Sequence, residues 1–136
     1  MSNNISIGVA FLDQDIVGAQ YLLSDEQLGY TAAGQGTVTQ ATDKSTAVTL
    51  SKPAGRITMN GAALAGNTAV SFTLNNSFIS SNDVLIVNVS AGGTAGAYTT
   101  YISSMTAGSA VVTLRNLTAG SLSEAVVLNY AIIHCV

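Results

Sequence analysis

The amino-acid sequence predicts an all-β protein: an antiparallel β-sandwich or jelly-roll-like body that carries an N-terminal arm of one strand and a turn. Three observations support this prediction. Apolar residues alternate with polar or small ones over several short runs, as in half-buried strands. Clusters rich in Gly, Asn and Ser separate these runs. Helix signals are scarce, and short strands at such spacing are typical of two-layer β-proteins.

The first 33 residues form the predicted arm. Apolar residues alternate with small or polar ones from Ile5 to Phe11, which is the period of a strand. Ser24 can cap a helical turn or two at most. The stretch Thr31–Gly36, rich in Ala and Gly, indicates a hinge. We therefore divide the chain into an arm, residues 1–33, and a body, residues 34–136.

The strand of the arm has two possible positions. It can join the sheet of its own body, or it can reach a neighbouring subunit and add a strand there. The alternation between Ile5 and Phe11 serves both arrangements equally well. The sequence leaves the two open.

The body contains seven strand signals. In chain order they are Val48–Leu50, Ile57–Met59, Val70–Leu74, Asp83–Val89, Tyr98–Ile102, Val112–Leu114 and Val126–Ile132. The run from Asp83 to Val89 is nearly continuous in apolar residues, which predicts a strand buried on both faces. Asn60-Gly61 suits a tight hairpin turn, and Gly92–Gly96 is predicted to be a hairpin tip.

Charged residues are unusually rare for a chain that lacks membrane features. They make up 8% of the composition, against roughly 25% in an ordinary soluble domain. A compact monomer of this mass exposes about 6,600 Å², which leaves about 600 Å² per charge. Sheet proteins usually protect their edges with Lys, Glu or Pro, yet Pro53 is the only proline. We therefore expect other protein chains to cover much of the surface.

Several classes of protein are disfavoured by composition. No cluster of Lys and Arg exists, so we expect no nucleic-acid partner. No apolar run approaches the ~20 residues that span a bilayer, so we expect no membrane partner. The N-terminus lacks the features of a signal peptide, which favours synthesis in a cytoplasm without export. Cys135, the single cysteine, excludes an internal disulfide.

No catalytic or metal-binding constellation emerges from the sequence. Serine catalysis needs a base beside the hydroxyl, and the only histidine is His134, close to the end. His134 and Cys135 are adjacent on a predicted strand, so they point to opposite faces and cannot hold one metal. Asp13 and Asp15 are too few for a calcium loop. Glycosidase-type carboxylate pairs are not excluded by spacing but have no support. We expect no enzymatic activity, metal or cofactor.

Two arginines stand at or beside apolar strand runs. Arg56 and Arg115 could pair with acidic side chains across a subunit boundary, where the planar guanidinium is favoured. They could equally be edge charges that prevent unwanted strand pairing. Both interpretations stay open at this point.

The body resembles a β-domain found in structural proteins of tailed-bacteriophage virions. The resemblance covers about residues 34–133 and depends on composition and rhythm rather than on a chemical motif. The segments that carry it are GTVTQATDKSTAVTL (Gly36–Leu50), KPAGRITM (Lys52–Met59), FTLNNS (Phe72–Ser77), NDV (Asn82–Val84) and GSLSEAVVLNYA (Gly120–Ala131).

This resemblance implies a function and an assembly. Proteins of this kind include head-decoration or cement proteins and fibre-like or spike-like virion proteins, commonly trimeric. The chain is therefore expected to be a homotrimeric capsid decoration protein on the outer surface of the virion, whose partners are the major capsid protein and its own copies. The alternative is a receptor-binding or fibre-tip module that presents loops Ser77–Asn82 and Ala91–Ala97 to a host glycan.

The same reasoning nominates a set of contact residues. They comprise the apolar residues of the arm and the two strand arginines. The residues expected at capsid or subunit contacts are Ile5, Ile7, Val9, Phe11, Tyr21, Leu22, Arg56 and Arg115.

Overall fold

Eight β-strands build the part of the chain that the structure, a computed structural model, describes: residues 20–21 and 24–135. A 3-10 turn, Ala32–Gly34, directly precedes the first of these strands. The strands are β1 Gln35–Thr39, β2 Val48–Thr49, β3 Ala54–Thr58, β4 Ala69–Asn75, β5 Val84–Ala91, β6 Tyr98–Thr106, β7 Ser109–Asn116 and β8 Val127–Ile133. The prediction of an all-β body is confirmed.

The strands form two sheets of four. Sheet A has the order β1-β3-β8-β5, and sheet B has the order β2-β4-β7-β6. Consecutive strands from β1 to β6 alternate between the sheets. Among the strands of the described residues, only β6 and β7 form a hairpin, whose turn places Gly108 at φ 84°. Glycine suits this position because other residues are strained at positive φ.

The predicted antiparallel arrangement is wrong for two of the strand pairs. β1 and β3 pair in parallel, as do β2 and β4, whereas β3–β8, β5–β8, β4–β7 and β6–β7 are antiparallel. The parallel neighbours follow from the topology, because β1 reaches β3 through a strand of the opposite sheet. Alternating hydrophobicity specifies which side of a strand is buried, but it does not specify the strand's direction.

The two sheets bury one common core. Sheet A contributes Ile57, Leu128 and Ile132, and sheet B contributes Leu74 and Leu114, all at most 3% exposed. Each of these residues occupies an inward position of a strand with period two. The strand signals of the body thus identified the buried faces, and burial of each large side chain contributes about 1.5–3 kcal/mol.

β1 was not predicted, because only Val38 among its residues carries a large apolar side chain. Its pairing with β3 depends instead on two glycines that face each other, Gly36 and Gly55. A Cβ at Gly36 would lie 2.8 Å from the Leu50 side chain, and a Cβ at Gly55 would lie 2.6 Å from it. Gln35 and Gly36, the last two residues of the predicted hinge, therefore belong to the sheet.

Three local predictions are also wrong. Ser24–Gln27 is not helical: the Ser24 hydroxyl accepts from the Glu26 N–H at 3.4 Å and donates to the Gln27 carbonyl at 3.3 Å, within a bend. Asn60-Gly61 and Gly92–Gly96 are not hairpin turns, because each connects strands of opposite sheets. Turn-forming residues identify where a strand ends, but not which sheet the next strand joins.

β5 was predicted to be buried on both faces, and this prediction is wrong. β5 is an edge strand of sheet A, and its residues alternate between exposed and covered positions from Val84 to Val89. Leu85 faces the core, whereas Val84 and Ile86 are half exposed. A continuous apolar run shows that both faces are apolar, and in the described residues only the inward face is covered.

Candidate interaction surface

The outer face of sheet A contains a single charged residue among the described residues. The strand register aligns Thr37, Arg56, Asn129 and Asn88 in one row across all four strands. All four side chains are exposed, and the neighbouring rows contain uncharged residues. A broad sheet face with one charge is unusual for a surface that contacts only solvent.

Arg56 lies in the middle of this face rather than at an edge. It stands on β3, between β1 and β8, beside a groove of about 440 Å³ that Gln35, Thr37 and Asn129 also line. No acidic side chain forms an ion pair with Arg56 among the described residues. The prediction of an edge charge is therefore wrong for Arg56, because its strand has neighbours on both sides. An unpaired guanidinium surrounded by hydrogen-bonding groups suits an acidic partner.

One end of the same face is apolar. Val84 and Ile133 are directly opposite each other on β5 and β8, and Ile86 is opposite Ala131. Val84, Ile86 and Ile133 are each 52% exposed; we call these three residues the apolar patch. Contiguous apolar surface of this kind marks contact sites more often than isolated exposed residues do.

The outer face of sheet B is also nearly uncharged. Arg115 stands on β7, between β4 and β6, and pairs in register with Ala69 and Thr99. It too has no ion-pair partner among the residues described. The edge-charge interpretation is thus wrong for Arg115 as well.

Hydroxyl groups cover most of the rest of that face. The Thr113 hydroxyl, itself buried, is hydrogen-bonded to the Ser71 hydroxyl at 2.8 Å and to the Ser103 hydroxyl. These bonds connect β4, β7 and β6 across the outer surface. This part of the face is therefore polar but uncharged, and these three hydroxyls are engaged with one another.

The edge strands lack the usual protection. β1, β2, β5 and β6 contain no charged residue and no proline. Natural sheets place such residues at their edges because unpaired N–H and C=O groups otherwise recruit other strands. This arrangement extends the neutral surface from both outer faces to the sheet edges.

The arm meets the body beside the apolar patch. The Tyr30 hydroxyl donates a hydrogen bond to the Ile132 carbonyl, and Leu28 and Tyr30 line a groove of about 460 Å³ together with Ile133 and His134. Tyr21 is 74% exposed and Leu28 is 81% exposed. The predicted contact residues Ile5, Ile7, Val9, Phe11 and Leu22 lie outside the described residues.

The end of the chain is held by a buried carboxylate that sequence reasoning missed. Asp83 accepts hydrogen bonds from the Ser80 N–H at 2.8 Å and the Cys135 N–H at 3.0 Å, and its Oδ1 lies 2.7 Å from His134 Nδ1. The Ser80 hydroxyl donates a further bond at 2.8 Å. The Ser80 N–H lowers the pKa of Asp83 most strongly, and together these contacts lower it to about 2.

This carboxylate predicts a loss of stability in acid. Because the folded pKa of about 2 lies below the ordinary 3.8, the stabilisation is complete above about pH 4 and disappears as the pH falls towards 2. We expect Asp83→Asn to be less stable than the parent at pH 7 and to lose less stability between pH 4 and pH 2. Urea unfolding at several pH values measures both effects, with Asp25→Asn as the exposed control. An unchanged acid profile in Asp83→Asn would contradict the assignment.

One of the four basic side chains, that of Lys44, is buried. Lys44 is only 3% exposed, and its Nζ donates hydrogen bonds to the carbonyl of Asn60 and, at 2.5 Å, to that of Glu124. Desolvation lowers the pKa of Lys44, while the charge of Glu124 opposes this shift. Burial of Lys44 leaves Lys52, Arg56 and Arg115 as the basic side chains at the surface of the body.

The described residues contain no alternative functional centre of the common kinds. No three His, Cys, Asp or Glu side chains in residues 20–21 and 24–135 lie close enough to hold a metal ion. In the same part of the chain, no helix is long and apolar enough to cross a bilayer. The outer faces of the sheets are the most distinctive feature of this surface.

The chain matches no known family model, curated protein or solved structure.

Proposed function

We propose that this chain is a non-enzymatic structural protein of a phage virion, which decorates the outer surface of the assembled capsid and stabilises it as a cement protein. Its partners are the major capsid protein and its own copies. The observation that carries the proposal is the pair of neutral sheet faces, each with one unpaired arginine, Arg56 or Arg115, among the described residues. The resemblance of residues 34–133 to β-domains of phage virion proteins supports it.

The proposal includes a trimer built from sandwich-like bodies. Nested antiparallel pairs, β4–β7 and β3–β8, continue from one sheet to the other, as in the ribbon of a jelly roll. Three copies present each contact three times, so that individually weak contacts combine into high avidity. Low charge suits such a subunit, because broad neutral faces lose little solvation energy when they are covered.

Stabilisation of the capsid then follows from mass action. A protein that binds only the assembled shell shifts the equilibrium towards that shell by RT ln(1 + [L]/Kd). At a free concentration one hundred times Kd this contributes about 2.7 kcal/mol per site. No chemical step is needed, which agrees with the expectation of a protein without catalytic residues.

Sedimentation with capsids tests this proposal. Purified protein is mixed with DNA-filled shells and with empty precursor shells that lack it, and the pellets are quantified. We expect saturable binding to the filled shells and greater resistance of the decorated shells to heat. If the protein remains in the supernatant with both kinds of shell, the cement function is wrong.

A fibre-tip module is the second candidate, and one observation favours it. Phe78 is 52% exposed in the loop that follows β4, and exposed aromatic rings provide platforms for sugars. In this case the isolated protein would bind host cells, and Phe78→Ala would reduce that binding at least about fivefold. Binding to cells without binding to capsids would replace the cement function by this one.

A further inference from the structure

The charges of the chain are divided between its two parts. Residues 1–33 contain Asp13, Asp15, Asp25 and Glu26 and no Lys or Arg. The outer face of sheet A, in contrast, displays Arg56 without an ion-pair partner in the described residues. The arm and this face are therefore complementary in charge.

They are also complementary in hydrophobicity. The alternation from Ile5 to Phe11 gives a strand one apolar side, with small or polar residues on the other. The apolar patch exposes Val84, Ile86 and Ile133 on the same sheet face as Arg56. In the arm, Asp13 and Asp15 follow Phe11, the last residue of the apolar alternation, by two and four residues. One extended segment can therefore contact both the apolar patch and Arg56.

The path of the described arm indicates which copy the segment reaches. Tyr30 is fixed to β8 beside the apolar patch, but Tyr21 and Leu28 remain largely exposed. A segment that folded back onto its own sheet would be expected to bury such side chains. Their exposure favours a path away from the parent body.

From these observations we propose that residues 5–15 of one copy lie across the outer face of sheet A of a second copy. Ile5, Ile7, Val9 and Phe11 cover the apolar patch, and Asp13 or Asp15 pairs with Arg56. This inference deepens the proposed function, because it names the contact through which the copies associate.

The dimensions allow this arrangement. The chain between Phe11 and Leu28 can span up to about 55 Å when extended. On the sheet, β5 and β3 are two strand spacings apart, which is about 10 Å. An extended segment advances about 7 Å in two residues, so an acid at position 13 or 15 can reach the row of Arg56 while Phe11 stays near the patch.

Charge reversal in the full-length chain tests the contact. We expect Arg56→Glu to weaken self-association at least about tenfold, because like charges would then meet, and the double variant Asp13→Lys/Asp15→Lys to do the same. Ala107→Glu is the control, since it also introduces a negative charge but lies exposed in the turn between β6 and β7, outside the proposed contacts. It should retain parental self-association, as measured by sedimentation velocity, and circular dichroism should confirm that every variant is folded.

Mixing the two weakened variants shows whether the segment lies on its own body or on a second copy. The acidic arm of the Arg56→Glu chain then meets the unchanged sheet face of the other variant, and the basic arm of that variant meets the sheet face with the reversed charge. In a mixed trimer two of the three contacts then join opposite charges, so mixing should restore association that neither variant shows alone. Restoration only when all three changes are in one chain would place the segment on its own body and overturn the proposal. Parental association of Arg56→Glu, or equal weakening by Ala107→Glu, would also overturn it.

The experiment contains no capsid. A failure here therefore leaves the cement function untouched, and a failure to bind capsids leaves this contact untouched.

Discussion

Removal of residues 1–12 is expected to weaken assembly about a hundredfold and to leave the body folded. The deleted segment carries Ile5, Ile7, Val9 and Phe11, and burial of one such side chain contributes about 1.5–3 kcal/mol. Ordering the segment offsets part of this gain. A net loss of about 2.7 kcal/mol corresponds to the hundredfold change.

The body should not be affected, because every residue of the hydrophobic core cluster lies between Val48 and Ile132. Sedimentation velocity measures the assembly, and thermal unfolding measures the body. Ile7→Asn/Val9→Asn in the full-length chain is the matched variant, since it keeps the length and removes the apolar side. Self-association that is unchanged in both variants would contradict a role for the arm.

Asn116→Ala is expected to destabilise the body by about 3–4 kcal/mol. Asn116 is completely buried at the end of β7. Its amide donates to the carbonyls of Leu64 at 3.0 Å and Gly120 at 2.9 Å, and its oxygen accepts from the N–H of Thr118 at 2.9 Å. Alanine would remove all three bonds, at about 1 kcal/mol each, and the cavity it leaves adds to this cost. The Thr118 N–H would lose its acceptor, whereas the carbonyls of Leu64 and Gly120 keep the Leu122 N–H and the Thr118 hydroxyl as donors.

The control for this prediction is Asn75→Ala. Asn75 is also the last residue of a strand, but its side chain is exposed, so the change should stay within about 0.5 kcal/mol. Urea unfolding measures both variants. Equal stability of Asn116→Ala and Asn75→Ala would show that the buried amide is not needed.

The alternation of apolar residues predicted most of the body but not its connectivity. β4 and β7 were recognised because Phe72, Leu74, Val112 and Leu114 recur with period two and face the core. β1 was not recognised because its pairing depends on Gly36 and Gly55. These two residues leave space that the Leu50 side chain occupies, and no apolar alternation signals this. The parallel pairs and the sheet changes depend on long-range contacts that no local pattern encodes.

The sequence predicted that the candidate surface would carry few charges, but it did not predict where its arginines would lie in the sheets. Low charge indicated covered faces, and Arg56 and Arg115 were selected from their strand context. Sequence reasoning placed them at edges as one alternative, whereas both stand on middle strands. The burial of Lys44 could not be foreseen either, because its partners are backbone carbonyls at Asn60 and Glu124, far apart in sequence.

From the charge-poor faces we expect that this protein does not persist as an isolated subunit in water, and its mass in solution tests that expectation most directly. Light scattering coupled to size-exclusion chromatography should give about three times the 13.8 kDa of one chain, with dissociation only on strong dilution. The account would be contradicted by a mass of 13.8 kDa at every concentration, in a protein that stays soluble and does not bind capsids.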